Sequence, residues 1–211
     1  MTSPRTRRLA VLASGRGSNF RALADAAAGG SLGGVLAVLA SDHADSGAVE
    51  LARERGIAVE TPDAGPYRTR LSREAERAWV ARLRAHDVDT ILLAGFMRIL
   101  HDDFLAAFPG RVLNLHPSLL PAFPGTASIR RALEHGTRVT GCTVHLVDAG
   151  IDDGPILAQA AVDVKDDDTV DSLAERIHDA EHALYPPTVH RFLTERFHLE
   201  GRRVRWTGES A

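Results

Sequence analysis

Short apolar runs recur along the chain, each separated from the next by a stretch of helical spacing. Leu9–Ala13 is the first run and ends in Ser14-Gly15-Arg16-Gly17-Ser18-Asn19. Phe20–Ala28 follows with amphipathic spacing, and Asn19 is its expected N-cap. Gly34–Ser41 carries a second run, Ser46–Arg55 reads as helix and Ile57–Thr61 as a third strand. Arg70–His86 is a charged helix with Trp79, Val80 and Leu83 to one side. Thr90–Ala94 is a fourth strand, His101–Phe108 a short helix and Arg111–Leu115 a fifth strand. The strands are continuous apolar runs, not alternating ones, and helices lie between them. That pattern predicts an α/β fold: an open, mostly parallel, twisted, Rossmann-like sheet with helices on both faces.

After His116 the rhythm changes. Pro117, Pro121 and Pro124 with Gly125 mark a long irregular loop, and Ile129–His135 is helical. Gly141–Val147 and Ile156–Val164 read as two β segments joined by the turn Asp148–Pro155, so the C-terminal part is expected to be more antiparallel. Thr169–Phe197 is a long helical stretch with an interruption expected at Pro186-Pro187. Glu200–Ala211 is polar and expected to fray. No internal repeat or linker is visible, which predicts one domain over 1–211 with a core of about 8–192.

Composition narrows the class. The 211 residues are 44% hydrophobic and 25% charged, enough apolar material for one sizeable core. A net charge of −3 argues against a mainly electrostatic nucleic-acid binder but leaves room for a local anion pocket. Cys142 is the only cysteine, so no intrachain disulfide can form. Lys165 is the only lysine, so lysine chemistry would have to use it. The basic opening Met1–Arg8 is followed by an apolar stretch too short for a signal h-region, and no apolar run is long enough to span a membrane. A cytoplasmic protein is expected.

Two segments carry candidate chemistry. The turn around Gly15 and Gly17 sits between a strand and a helix, where backbone N–H groups and the helix terminus favour an anion, with Ser18 and Asn19 adding polar donors. A nicotinamide site is a rival, since Asp42 ends the second strand where a ribose-binding acid would stand. However, Phe20 occupies the third glycine position of that fingerprint. No Gly-Lys-Ser/Thr follows, so a Walker loop is excluded. A plain tight turn is the third reading.

The fifth strand ends in Asn114-Leu115-His116-Pro117. Asn114 and His116 are two apart and share one face of the strand. An amide beside an imidazole suits oxyanion stabilisation and proton transfer, although a histidine before a proline turn is more often structural. Ser118 lacks a nucleophile-elbow context. Cys142 and His145, even with His135, make an incomplete metal set. Asp152, in Asp148-Ala149-Gly150-Ile151-Asp152-Asp153-Gly154-Pro155, is either a solvated turn former or a carboxylate that orients His116.

Taken in order, Ser14–Asn19, Ala94–Leu100, Asn114–Pro121 with Phe123-Pro124-Gly125, Gly141–His145, Asp152–Pro155 and Glu181–Pro186 make the chain resemble the glycinamide ribonucleotide formyltransferase family from about Arg8 to Phe192. The resemblance implies direct formyl transfer from 10-formyltetrahydrofolate, a cosubstrate, to the amine of glycinamide ribonucleotide through a tetrahedral intermediate. No metal is implied. It also implies catalytic roles for Asn114, His116 and Asp152. Gly17, Ser18, Asn19, Pro117, His178 and Glu181 would hold the ribonucleotide. Arg73, Met97, Arg98, Ile99 and Leu100 would hold the folate, together with Asn114 and the loop Asp148, Ala149, Gly150, Ile151 and Asp152.

The chain departs from the family pattern at Thr126–Arg130, where many relatives carry histidines, at Ser41-Asp42 and at His178. The implied partners are small molecules, with neither nucleic acid nor membrane, and a homodimer is left open. A 10-formyltetrahydrofolate hydrolase is the nearest alternative, although members of that class carry an extra N-terminal domain. The length leaves no room for the C-terminal domain of methionyl-tRNA formyltransferases. A nicotinamide-dependent oxidoreductase and a non-catalytic sensor of the phosphate ligand are alternatives from other classes.

Overall fold

In the computed structural model, which describes residues 6–210, the apolar runs become strands, and those at 8–12, 90–93 and 112–116 are buried along almost their whole length. Residues 1–5 of the basic opening and Ala211 lie outside the described residues. The elements run β1 (Arg8–Leu12), α1 (Ser18–Ala28), β2 (Val35–Ala40), α2 (Gly47–Glu54), β3 (Ala58–Glu60), α3 (Arg73–Ala85), β4 (Thr90–Leu93), α4 (Asp102–Ala107) and β5 (Val112–His116). They continue α5 (Ser128–Glu134), β6 (Val139–Leu146), β7 (Ile156–Asp163), α6 (Val170–Thr194), β8 (Glu195–Glu200) and β9 (Arg203–Ser210). The fold is α/β, with parallel strands and surrounding helices followed by antiparallel strands toward the C-terminus. The chain groups into two compact units, Met1–Leu113 and Asn114–Ala211.

In the first unit the strands lie in the order β3-β2-β1-β4, and each pair is parallel. Leu9, Val11 and Leu12 on β1 and Ile91 and Leu92 on β4 have no exposed surface. Burying a leucine or isoleucine fully stabilises by about 1.5–3 kcal/mol, so continuous apolar runs dictate central strands. Helices complete the burial with Phe20 and Leu23 of α1, Val49 of α2, and Trp79 and Leu83 of α3. The Trp79 indole donates to the Asp63 carbonyl at 3.1 Å, which satisfies its one polar atom. Ser46 caps α2 and Ser72 caps α3, each accepting from the amide three residues on.

The first helix departs from expectation. It begins at Ser18, and its cap is Gly17 in the left-handed region (φ 82°), not Asn19. A Cβ at Gly17 would stand 2.7 Å from the Cα of Ala48, so both the φ and the close approach of α2 demand glycine.

In the second unit the strands lie in the order β6-β7-β9-β8. β6 and β7 pair antiparallel from Val139–Asp163 to His145–Ile156. β7 is only partly covered, with Leu157 and Val162 buried and Gln159, Ala161 and Asp163 exposed. α6 packs Leu173, Ile177, Tyr185, Val189 and Phe192 into the core. The interruption expected at Pro186-Pro187 does not occur: α6 is continuous over 25 residues. The two prolines remove N–H donors from one turn, and burial of Tyr185, Pro186 and Val189 on the same stretch outweighs that loss.

The expected polar tail is also corrected. α6 stops at Thr194, and residues 195–210 form the antiparallel β8–β9 hairpin. Phe197 stacks on Trp206 and Phe192, with ring centroids 5.3 and 5.7 Å away, and Arg191 lies over the Trp206 ring at 4.4 Å. These aromatic contacts order a segment whose overall polarity suggests fraying. No helix among the described residues is long and apolar enough to cross a membrane.

Candidate functional site

In the first unit, the glycine turn leaves β1 and enters α1. Ser14 N–H donates to the Gly95 carbonyl at 3.1 Å, and Ser14 Oγ accepts from the Met97 amide at 3.0 Å. The turn is thus tied to the segment that follows β4. The cap residue Gly17 has no side chain to offer the first amides of α1, and such amides have no partner from the helix's own backbone. With the positive end of the helix dipole, this geometry suits a phosphate. Ser18 is exposed, Gly17 and Asn19 are half-buried, and all three lie at that helix start.

Asp42 does not serve as the ribose-binding acid weighed in the nicotinamide reading. Its carboxylate is buried and accepts from Arg98 Nε at 2.7 Å. Burial raises the Asp42 pKa, but the Ser14 hydroxyl, Arg98 and His43 outweigh that and hold it below the usual carboxylate value. Arg98 also reaches the Tyr67 carbonyl, so its guanidinium is pinned between two segments. On either side of it Met97 (68% exposed) and Ile99 (44%) present apolar surface to solvent, while Leu100 is buried. Arg73 opens α3 and is exposed. The exposed apolar ledge of Met97 and Ile99 suits the flat face of an aromatic ligand.

In the second unit, β5 ends with Asn114 and His116 on one face, and the turn after β6 brings Asp152 to both. Asp152 Oδ2 lies 3.1 Å from His116 Nδ1 and accepts the Gly125 amide at 2.7 Å. Asp152 Oδ1 accepts the Asn114 amide at 3.2 Å. His116 is buried, and its Nε2 lies 3.0 Å from the Phe123 carbonyl and 3.1 Å from Ser128 Oγ. Burial pushes the His116 imidazole below its ordinary value, while Asp152 and the Phe123 carbonyl pull it back up. Burial raises the Asp152 pKa, but His145, the Gly125 amide and the charge of His116 more than offset it, and the carboxylate is held below its usual value. The reading of Asp152 as a solvated turn former thus gives way to a half-buried carboxylate with four partners, His116, Asn114, Gly125 and His145.

Three residues with positive φ surround this cluster: Phe123 (52°), Ala127 (56°) and Asp152 (51°). Such conformations cost about 1–3 kcal/mol each and persist only where neighbours enforce them. Next to Asp152, Gly154 passes so close to Leu146 that a Cβ would stand 1.8 Å from its carbonyl oxygen. Asp148 caps its own turn through the Gly150 amide at 2.9 Å, and Ala149, Gly150 and Ile151 are exposed. Arg202, in the turn of the C-terminal hairpin, pairs with the Asp153 carboxylate at 2.9 Å.

Sequence pattern underrated His145 and did not find Ser128. His145 Nδ1 donates to the Leu146 carbonyl at 2.9 Å, so its Nε2 faces Asn114 at 3.2 Å and Asp152 at 3.5 Å. Neutral, it accepts from the Asn114 amide; protonated, it donates to Asp152. The one available signal was its place at the end of a strand just before the acidic turn. Cys142, three residues earlier on β6, is buried with its thiol pushed up to about 12, and His135 meets Phe123 edge-to-face. Among the described residues no group of three or more His, Cys, Asp or Glu side chains converges as metal ligands. His178 and Glu181 lie three apart on α6, Glu181 buried and His178 half-buried. Pro117 follows His116 directly and is half-buried.

Comparison with known proteins points the same way as the resemblance. A family model described as formyl transferase matches residues 7–189. A phosphoribosylglycinamide formyltransferase from Mycobacterium tuberculosis is 46% identical over 200 residues, covering 92% of this chain and 89% of that protein. One from Bacillus subtilis is 38% identical over 187 residues, covering 89% and 95%. The crystal structure of glycinamide ribonucleotide transformylase 1 from Symbiobacterium toebii superposes with a TM-score of 0.91 at 46% identity, covering 97% of this chain and 95% of that one.

Proposed function

Since the chain belongs to the formyl transferase family, we propose for it the reaction that its similar relatives are named for. It is a folate-dependent formyltransferase that transfers a formyl group to the amino group of glycinamide ribonucleotide in purine biosynthesis. The donor is a formyl-folate, which we take to be 10-formyltetrahydrofolate, with no metal required. We read 1–211 as one formyltransferase domain and the protein as cytoplasmic. The observation that carries the catalytic assignment is the clamping of His116 Nδ1 by Asp152, with the Asn114 amide on the second oxygen of the same carboxylate.

The substrate amine attacks the formyl carbon. A C–N bond forms, and the carbonyl electron pair moves onto oxygen. The Asn114 amide, turning one N–H from Asp152 or His145, donates to that oxyanion, and protonated His116 stabilises it. Collapse breaks the bond to the folate nitrogen, which takes up the proton that the attacking amine gives up. His116 and Asp152 carry that proton between the two nitrogens, and Asp152 fixes the ring for the task. The products are the formylated ribonucleotide and tetrahydrofolate.

Amides and polar side chains at Gly17, Ser18 and Asn19 receive the phosphate, while Pro117, His178 and Glu181 hold the rest of the ribonucleotide. Arg73, Met97, Arg98, Ile99 and Leu100 hold the folate together with Asn114 and the loop from Asp148 through Asp152. The test is an assay of tetrahydrofolate release with and without glycinamide ribonucleotide. Release that depends on the ribonucleotide is expected. Equal release without it would make the protein a hydrolase, and no release in either case would overturn the reading.

A further inference from the structure

We propose that Ser128 is a positioning residue for His116, its hydroxyl donating to Nε2 when the ring is neutral and turning to the Gly125 carbonyl when the ring is protonated. This rests on the reading of His116 as the group that gains and loses a proton. Three partners face the ring. Asp152 Oδ2 lies 3.1 Å from Nδ1, the Phe123 carbonyl lies 3.0 Å from Nε2, and Ser128 Oγ lies 3.1 Å from Nε2. The carboxylate and the carbonyl can only accept. An imidazolium satisfies both with its two N–H groups.

A neutral ring has one N–H, and the carboxylate, the stronger acceptor, keeps it on Nδ1. The Nε2 lone pair then faces the carbonyl oxygen of Phe123, a repulsive pairing in a buried site. Of the three partners only Ser128 can donate to that lone pair. Its hydroxyl has a second resting place, the Gly125 carbonyl at 3.0 Å. Ser128 is 3% exposed, so bulk water cannot replace it.

One short segment builds the whole device. Phe123 and Ala127 hold positive φ, the Gly125 amide anchors Asp152 at 2.7 Å, and Ser128 opens α5. The other charges that bear on the ring are Asp152, which favours its protonation, and His145 and Arg131, which oppose it. These stay in place when Ser128 is changed. Loss of the hydroxyl therefore removes a partner that only the neutral ring requires, and the imidazolium gains.

The test is titration of His116 by nitrogen-15 NMR in the full chain, beside the pH dependence of kcat. Ser128→Ala is expected to move the His116 midpoint upward by about half a pH unit, the worth of one modest hydrogen bond. The limb of the kcat profile should move with it, and KM for both substrates should stay within about twofold, because Ser128 is buried against the ring. Ser128→Thr, which keeps the hydroxyl, should restore the wild-type midpoint. Ser128→Cys keeps the shape and donates weakly, so it shows the same upward direction if the alanine variant folds poorly. An unmoved midpoint in the alanine and cysteine variants, or a threonine variant that behaves like alanine, would overturn the proposal. The NMR midpoint is read without substrates, so failure of formyl transfer in the wild type would count against the function and leave this result standing.

Discussion

At the scale of single residues, His116 and Asp152 decide the chemistry. Replacing His116 by Ala or Asp152 by Asn is expected to lower kcat by about 10²–10⁴-fold with much smaller changes in KM, since positioned acid–base groups act mainly in the transition state. Steady-state kinetics checks this, and near-normal kcat in both variants would remove the assignment. The same two groups give the folded state a pH dependence. Asp152 is held below its ordinary value, so its stabilisation is present above the unfolded carboxylate pKa and is lost as pH falls through the folded value. Burial depresses His116 from an ordinary 6.5, so below that pH the unfolded chain binds the extra proton and the folded state again loses stability.

Both signs agree, and the protein should weaken on acidification. His116→Gln should lose less stability than wild type from neutral pH down to about pH 5, as read from urea midpoints. An identical pH slope in the two proteins would contradict the depressed imidazole. Gly17→Ala is expected to destabilise by at least about 1–2 kcal/mol from the left-handed φ alone, before the approach to Ala48 is counted. If the turn holds the phosphate, KM for the ribonucleotide rises as well.

At the scale of elements, caps and the terminal hairpin can be probed away from the site. Thr169 and Ser172 close a reciprocal capping box on α6, so Thr169→Ala should cost about 0.5–2 kcal/mol by thermal melting, with kcat unchanged. Trp206→Ala removes the ring that packs on Phe197 and Arg191, and is expected to lower the melting temperature. Arg202 and Asp153 are both well exposed, so their pair contributes little to stability.

Element type was legible wherever the pattern was long and periodic: β4 and α3 fall within the residues their patterns marked, and β1 starts one residue before its run. It was not legible at α6 and beyond. Pro186-Pro187 is a local breaker, and the tail is locally polar; burial of Tyr185 and the pairing of Phe197 with Trp206 override both.

At the scale of the whole molecule, membership of the formyl transferase family bounds the reaction, and the acceptor is the quantity to measure. Lys165 is the only lysine and its backbone amide is tied to Asp168, so Lys165→Ala should leave kcat/KM within about twofold. A larger loss would place Lys165 in the chemistry.

The sequence by itself determined the parallel α/β class, the glycine turn, and the pairing of Asn114 with His116 on one strand face. These follow from periodicity and local turn chemistry, which act over a few residues. Only the tertiary structure decided that Asp42 serves Arg98 and that Asp152 spans His116 and Asn114. The same holds for the placing of His145 and Ser128 against them and for the pairing of the last residues as a hairpin. Those outcomes depend on which strands become neighbours and on what burial does to a charge, and neither is written in the spacing of residues along the chain.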